Sequence, residues 1–297
     1  MKPFAIAGIQ MEVSAQKDNI ATMEAYAAHV RHRFPWVDML LFSELAAFGP
    51  GIAHAQPMPG DAEQRLCEIA RRYGFWLIPG SLFEACGDAL FNTAPVIDPQ
   101  GTVVARHRKL FPFQPYECGI TAGNEFVVFD VPDAGRFGVS ICYDMWFPET
   151  TRQLVAMGAE VILHPTMTDT IDRDIELSIA KASAAINQVY ILDINGVRDG
   201  GAGQSIVVDC AGYVLHQAAA AGAQIIPVEI DFAKVRRERE TGIRGLGQPL
   251  KSFRDSALMF PVYRKEAQDM AYLNTLRALD KPGTTDDAPA SGPGYAA

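Results

Sequence analysis

Four residues of this sequence have the types that acyl transfer needs: Glu44, Lys109, Glu117 and Cys142. Each follows an apolar run or stands in the loop after one. Glu44 follows VDMLLFS, Lys109 closes VVARHRK, Glu117 sits in the next loop, and Cys142 ends FGVSIC. A thiol has an ordinary pKa of about 8.5, so little thiolate exists at neutral pH and a base is needed. A buried carboxylate with a raised pKa can be that base. An ammonium group nearby can stabilise the oxyanion formed when the thiol attacks a carbonyl. Cys, Glu and Lys together therefore suffice for acyl transfer through a thioester. Singly, none is decisive. A lone cysteine is usually inert packing, a glutamate is usually solvated, and Lys109 stands in RHRK, a basic run of the kind that ordinarily marks a solvated face.

The elements around these residues place them at the ends of strands. Phe137, Val139 and Ile141 alternate with small residues up to Cys142, and Pro148-Glu149 reads as a helix start. The thiol thus falls at a strand-to-helix elbow, which holds a nucleophile rigidly. Phe4–Met11, 37–43 and 75–83 read as strands, and 18–32 and 61–73 as amphipathic helices. Asp61 is expected to cap the second helix, with Glu63 and Arg65 facing outward. Hairpins are expected at 90–98 with 102–106, 126–131 with 137–142, and 204–209 with 213–216. Helices at 148–157 and 172–187, strands at 161–164, 189–195 and 224–230, and a charged helix from Asp231 complete the pattern. Alternation of this kind predicts an α/β protein with a mixed sheet or two sheets. Charged residues directly after apolar strands are where α/β sheets keep their sites.

Composition narrows the class. The 297-residue chain has a net charge of -9, which argues against a nucleic-acid surface. Five scattered cysteines without a CxxC pair form neither a disulfide framework nor a zinc site, and fit a reducing compartment. The histidines show no ligand spacing, so neither metal nor cofactor is expected. The N-terminal apolar run is too short for a signal segment, and no stretch reaches membrane-spanning length. A cytoplasmic protein without a membrane partner is expected. One domain is expected over 1–263. A helix over 264–280 should carry Met270, Leu273 and Leu276 on one face, at a subunit interface of a homodimer or higher homo-oligomer. Residues 281–297, rich in Gly, Pro, Ala, Thr and Asp, are expected to be disordered.

From Phe4 to about Arg239 the sequence resembles the nitrilase superfamily of carbon–nitrogen hydrolases. LLFSEL around Glu44 matches the family's glutamate motif, and RHRKLF around Lys109 its lysine motif. GVSICYDMWFPE around Cys142 matches its cysteine motif, and PYECGITAG places Glu117 at its second glutamate. Ser43 departs from the family's usual proline, Ile186 from its glutamate, and Lys181 from its frequent arginine. The resemblance implies a four-layer αββα sandwich. It implies Glu44 as general base, Cys142 as nucleophile, Lys109 and the Tyr143 backbone N–H as oxyanion donors, and Glu117 as the group orienting Lys109 and the substrate nitrogen. Tyr143-Asp144 after the cysteine is more typical of amidases than of nitrilases. The resemblance therefore points to hydrolysis of a small amide, with a nitrile or an N-carbamoyl acid as alternatives and a silent binding module as the remote one. A carbamoyl amino acid would need a cation for its carboxylate, and Arg173, Arg198 and Arg244 are candidates. Phe113, Tyr116, Trp146 and Met167 are expected to line an apolar substrate pocket.

Overall fold

Phe4 and Ile6 point to one side of the first strand and Ala5, Ala7 and Ile9 to the other, and all five are buried. A strand buried on both faces must lie between two apolar layers. In the computed structural model, which describes residues 3–281, those layers are a second sheet on one side and helices on the other.

The first sheet has the spatial order Gln224–Ile230, Phe4–Gln10, Met39–Phe42, Trp76–Ile78, Ala89–Ile97 and Leu82–Cys86, with Val103–Arg108 also pairing Ala89–Ile97. Met39–Phe42 runs parallel to both neighbours. The second sheet has the order Val214–Gln217, Ile206–Val208, Tyr190–Asn195, Val161–Thr166, Gly135–Val139 and Val127–Val131. Its three central strands are parallel. Glu12–Val13, Val197–Arg198 and Gly201–Ala202 make a third, small sheet.

Helices α1 (Ile20–Arg33) and α2 (Asp61–Tyr73) cover the outer face of the first sheet, through Met23, Ala27 and Val30 and through Leu66, Ile69 and Ala70. Helices α3 (Pro148–Ala156) and α4 (Asp172–Asn187) cover the second sheet with Leu154, Val155, Leu177, Ala180 and Ala184. The chain is therefore a four-layer αββα sandwich, as the resemblance implies. Between the sheets, Phe137 is fully buried and its ring meets those of Phe4, Phe129 and Phe232. Truncating such a side chain to Ala typically costs about 3–5 kcal/mol. Phe232 belongs to α5 (Phe232–Thr241), which closes one end of this core.

Several expectations are corrected. The run 75–83 is two strands, Trp76–Ile78 and Leu82–Cys86, broken at Gly80. Gly80 has φ +80°, and a Cβ there would stand 1.7 Å from the Ser43 carbonyl oxygen. The break lets the chain press against the backbone just before Glu44. Gly60, not Asp61, is the N-cap of α2. Glu63 is 3% exposed rather than outward, and Arg106 forks onto its carboxylate at 2.8 and 2.9 Å. A short helix α6 (Pro249–Asp255), not anticipated, lies beside α4, with Leu250 against the outer core. The segment 264–280 is not a helix: it holds turns and a single 3-10 turn, Leu273–Thr275. Leu273 and Leu276 are exposed there. A short helix is marginal in water without a packed face. The expected disordered tail lies outside the described residues beyond Lys281. Among the described residues no helix is long and apolar enough to cross a membrane.

Candidate active site

Glu44 stands two residues beyond the carboxyl end of Met39–Phe42 and is 1% exposed. The sequence builds its socket from several directions. Its backbone N–H donates to the Thr166 carbonyl at 3.2 Å, tying one sheet to the other. The next N–H, of Leu45, donates to Ser81 Oγ at 3.1 Å, just past the Gly80 break. Glu44 Oε1 accepts from Asn92 Nδ2 at 2.7 Å and from Lys109 Nζ at 2.9 Å. Burial pushes the carboxyl above its ordinary range and Glu117 adds to the rise, while Lys109 and the Cys142 thiol pull the other way. Neighbouring Ser43 is fully buried, and nothing in the structure explains its hydroxyl.

The basic run before Lys109 is spent on acids, residue by residue. Side chains alternate along Val103–Arg108, so Arg106 and Arg108 leave on the partly exposed side and His107 and Lys109 on the buried side. Arg106 takes Glu63, Arg108 takes Glu84 at 2.6 Å, and His107 Nε2 meets Asp144 Oδ2 at 3.0 Å. Lys109 lies between Glu44 and Glu117, with Nζ 2.8 Å from Glu117 Oε2. Burial alone would lower this ammonium, but Glu44, Cys142 and Glu117 outweigh it and hold it well above its ordinary value. Glu117 Oε2 also accepts from the Phe113 N–H at 2.5 Å, which folds the loop back onto the lysine.

Cys142 is 9% exposed and adopts φ +46°, a left-handed conformation that a non-glycine residue holds only at a cost of about 1–3 kcal/mol. It opens a 3-10 turn, Cys142–Trp146, that runs into α3. The second N–H of that turn, on Tyr143, is one the turn itself does not use. Burial, reinforced by Glu44, holds the thiol well above its ordinary pKa, with Lys109 opposing.

In the sequence Asp144 is only part of the Tyr143-Asp144 amidase pattern, which does not reveal its structural role. It is fully buried and accepts from four donors. Oδ1 takes the N–H groups of Leu110 and Phe111 at 2.9 and 2.8 Å. Oδ2 takes Ile141 N–H at 2.9 Å and faces His107. It thus pins the chain after the lysine to the chain around the cysteine. The hint in the sequence was an Asp two residues past the thiol together with a His two residues before the lysine.

A second polar chain flanks the sulfur. Thr168 Oγ1 stands 4.0 Å from Cys142 Sγ and donates to Glu176 Oε1 at 2.9 Å. Trp146 Nε1 donates to the same oxygen at 3.3 Å. Arg173 Nη1 is shared by Glu176 Oε2 at 3.2 Å and both oxygens of Asp193 at 3.1 and 3.0 Å. Burial, then Asp193, push the Glu176 carboxyl up, while Arg173, Thr168 and Trp146 oppose. Sequence reasoning did not find Glu176 or Thr168, since neither belongs to an apolar strand end.

The expected aromatics are contiguous. The Phe113 ring stacks on Tyr116 and tilts against Tyr143, both at 4.9 Å, and Tyr143 meets Trp146 at 5.7 Å. Met167 packs separately, beside Leu45, Phe83 and Ile120. Arg198 is largely exposed and pairs with Glu12, and Arg244 lies over the Tyr213 ring at 4.6 Å. Ile186 and Lys181 are exposed on α4. Among the described residues no group of three His, Cys, Asp or Glu side chains is arranged to hold a metal ion.

Comparisons with known proteins place the chain in a family. Residues 4–240 match the carbon–nitrogen hydrolase family. The chain is 29% identical to the human omega-amidase NIT2 over 258 residues, spanning 81% of this chain and 93% of that one. Among solved structures, Nit3 of Saccharomyces cerevisiae superposes with a TM-score of 0.73 at 23% identity, covering 80% of this chain and 94% of that one, a likeness of fold. An amidase from Nesterenkonia superposes with a TM-score of 0.70 at 25% identity, over 80% of this chain and 94% of that one. That amidase has been seen, as a glutamate-to-glutamine mutant, with acrylamide added to its active-site cysteine and, as a cysteine-to-alanine mutant, with butyramide. The chain belongs to the carbon–nitrogen hydrolase family, in the amidase-like branch of the nitrilase superfamily, and its chemistry is amidase-type cleavage of non-peptide carbon–nitrogen bonds.

Proposed function

We propose that the protein hydrolyses a small amide to a carboxylic acid and ammonia through a thioester on Cys142. The observation that carries this reading is the buried Lys109 bridging Glu44 and Glu117, with Cys142 held in a strained turn beside them. Glu44 accepts the thiol proton as Sγ attacks the carbonyl carbon. The oxyanion is stabilised by the Lys109 ammonium and the Tyr143 N–H. Collapse breaks the carbon–nitrogen bond, and the nitrogen leaves as ammonia with the proton from Glu44. Glu44 then deprotonates a water that attacks the thioester, releasing the acid and returning the proton to sulfur. Glu117 Oε2 is committed to Lys109 and Phe113, so its other oxygen is the one to accept from the substrate NH2 group. Phe113, Tyr116, Tyr143 and Trp146 supply the apolar wall for the acyl chain.

Support for an amide over an N-carbamoyl acid comes from the arginines. Arg173 is already divided between Glu176 and Asp193, and Arg198 pairs with Glu12. The experiment is an ammonia-release assay over amides, nitriles and ureido acids, with intact-mass analysis during turnover. Amides should be cleaved and a slow amide should add its acyl mass to Cys142. Cys142→Ala should be inert and unlabelled while remaining folded, and Cys142→Ser nearly so. Full turnover by the alanine variant would refute the reading.

A further inference from the structure

The polar chain beside the sulfur is not used by the chemistry above. One guanidinium, Arg173, serves two carboxylates, Glu176 and Asp193. Its second terminal nitrogen goes to the Gln204 carbonyl at 2.9 Å. On the other flank of the sulfur, one ammonium, Lys109, serves Glu44 and Glu117. Among the described residues, each cation that touches the carboxylates around Cys142 is thus shared by two of them, and neither flank has a cation to spare for a further anion. Glu176 is the member placed to meet a substrate. It is 5% exposed, it is linked to Cys142 through Thr168, and it holds the indole N–H of Trp146, the last ring of the aromatic wall. Oε1 already accepts twice, whereas Oε2 accepts only from Arg173 among the described residues. A carboxylate has about four acceptor positions, so Oε2 can take a further donor. Lys281 lies over the Tyr116 ring, on a side chain 46% exposed, where solvent and salt screen its charge.

We propose that Glu176 reads the tail of the acyl group, so that the enzyme favours amides whose tail ends in an ammonium or other hydrogen-bond donor and rejects those whose tail ends in a carboxylate. This rests on the amidase reading of the same site. It separates the chain from an enzyme selective for amides of dicarboxylic acids, which would need an uncommitted cation at this position. Like charges brought together in a desolvated pocket repel strongly, and a tail donor instead completes the Glu176 shell.

The test compares isosteric pairs by kcat/KM at fixed ionic strength: 4-aminobutyramide against pentanamide, and glutaramate against 5-methylhexanamide. The ammonium amide should exceed its neutral isostere at least tenfold, and glutaramate should fall at least tenfold below its own. Glu176→Gln keeps the shape and should shrink both ratios at least fivefold, whereas Glu68→Gln, an exposed carboxylate on α2, should leave them unchanged. Glutaramate outperforming 5-methylhexanamide would overturn the proposal, as would ratios indifferent to Glu176→Gln. Should that variant not fold, the wild-type ratios decide alone. Failure of the neutral amides themselves to release ammonia would instead refute the amidase reading on which the proposal stands.

Discussion

Lys109 Nζ and Glu44 Oε1 are 2.9 Å apart, and both side chains are 2% exposed. A pair this deeply buried gains less stability than its geometry implies, because both charges have lost their water. Its consequence is in titration. Burial raises the Glu44 carboxyl, and Glu117 raises it further.

A base must be ionised to act, so activity should fall as pH drops through the raised Glu44 pKa. The acid limb of kcat/KM should therefore lie above the ordinary carboxylate range. Removing the Glu117 charge should move that limb to lower pH. We expect Glu117→Gln to lose activity by roughly 10²-fold or more, the scale of a lost electrostatic contact, while its residual profile shifts acidward. The stability sign is the reverse of a salt-bridged surface acid. A raised folded pKa favours the protonated fold, so this group's contribution weakens as pH rises from the unfolded toward the folded value. Rate profiles of wild type and Glu117→Gln check this, and an acid limb that does not move would contradict it.

Asp144 offers a second test, because it acts on the chemistry only through other residues. Asn at this position keeps one acceptor oxygen and turns the other into a donor facing N–H groups. An unsatisfied buried group costs about 1–3 kcal/mol. Asp144→Asn should lower the denaturant midpoint accordingly and reduce kcat more than it raises KM, since the lysine and cysteine loops lose their shared anchor. His107→Gln, which can still donate to Asp144 Oδ2, should retain most of the activity. Equal changes in kcat and KM would reduce Asp144 to ordinary packing.

These two sites mark how far the sequence could be read. That Glu44, Lys109, Glu117 and Cys142 gather in one place was legible because polar groups at strand ends follow apolar runs, and the motifs around them are specific. The four layers were legible only through resemblance, since 75–83 reads equally well as one strand or two until Gly80 meets Ser43. RHRK was opaque for a different reason. A basic run looks solvated unless its acids are known, and Glu63, Glu84, Asp144 and Glu117 come from four separate segments. Glu176 was hidden in a helix, where a buried acid and a solvated one look alike.

The exposed C-terminal segment leads to a prediction about assembly. Leu258, Met259, Tyr272 and Leu279 are 65%, 74%, 76% and 72% exposed in the single chain. Apolar side chains concentrated in one segment call for a cover. We expect a homodimer, the commonest symmetric assembly, in which this segment packs on the partner. Light scattering at micromolar concentration should give twice the 32.4 kDa chain mass. Truncation after Tyr263 should weaken the dimer and truncation after Lys281 should not. A monomeric full-length protein would sink the idea.

The aromatic wall predicts how rate depends on acyl length. Phe113, Tyr143 and Trp146 form a continuous run of rings from the lysine loop to the turn after the nucleophile. Each methylene buried against such a surface contributes up to about 0.8 kcal/mol, or roughly fourfold in binding. In the neutral series from acetamide through butyramide to pentanamide, kcat/KM should climb by a few-fold per step until the wall is covered. Trp146→Ala should flatten that climb while leaving acetamide turnover within about tenfold of wild type, since the ring lies beyond the reacting carbon. The same substitution removes an N–H from Glu176, so it should also alter the discrimination between ammonium and carboxylate tails. Assays of the neutral series in both proteins separate these effects. A steady fall from acetamide to pentanamide in wild type would mean that the rings pack the loop shut instead of facing the substrate.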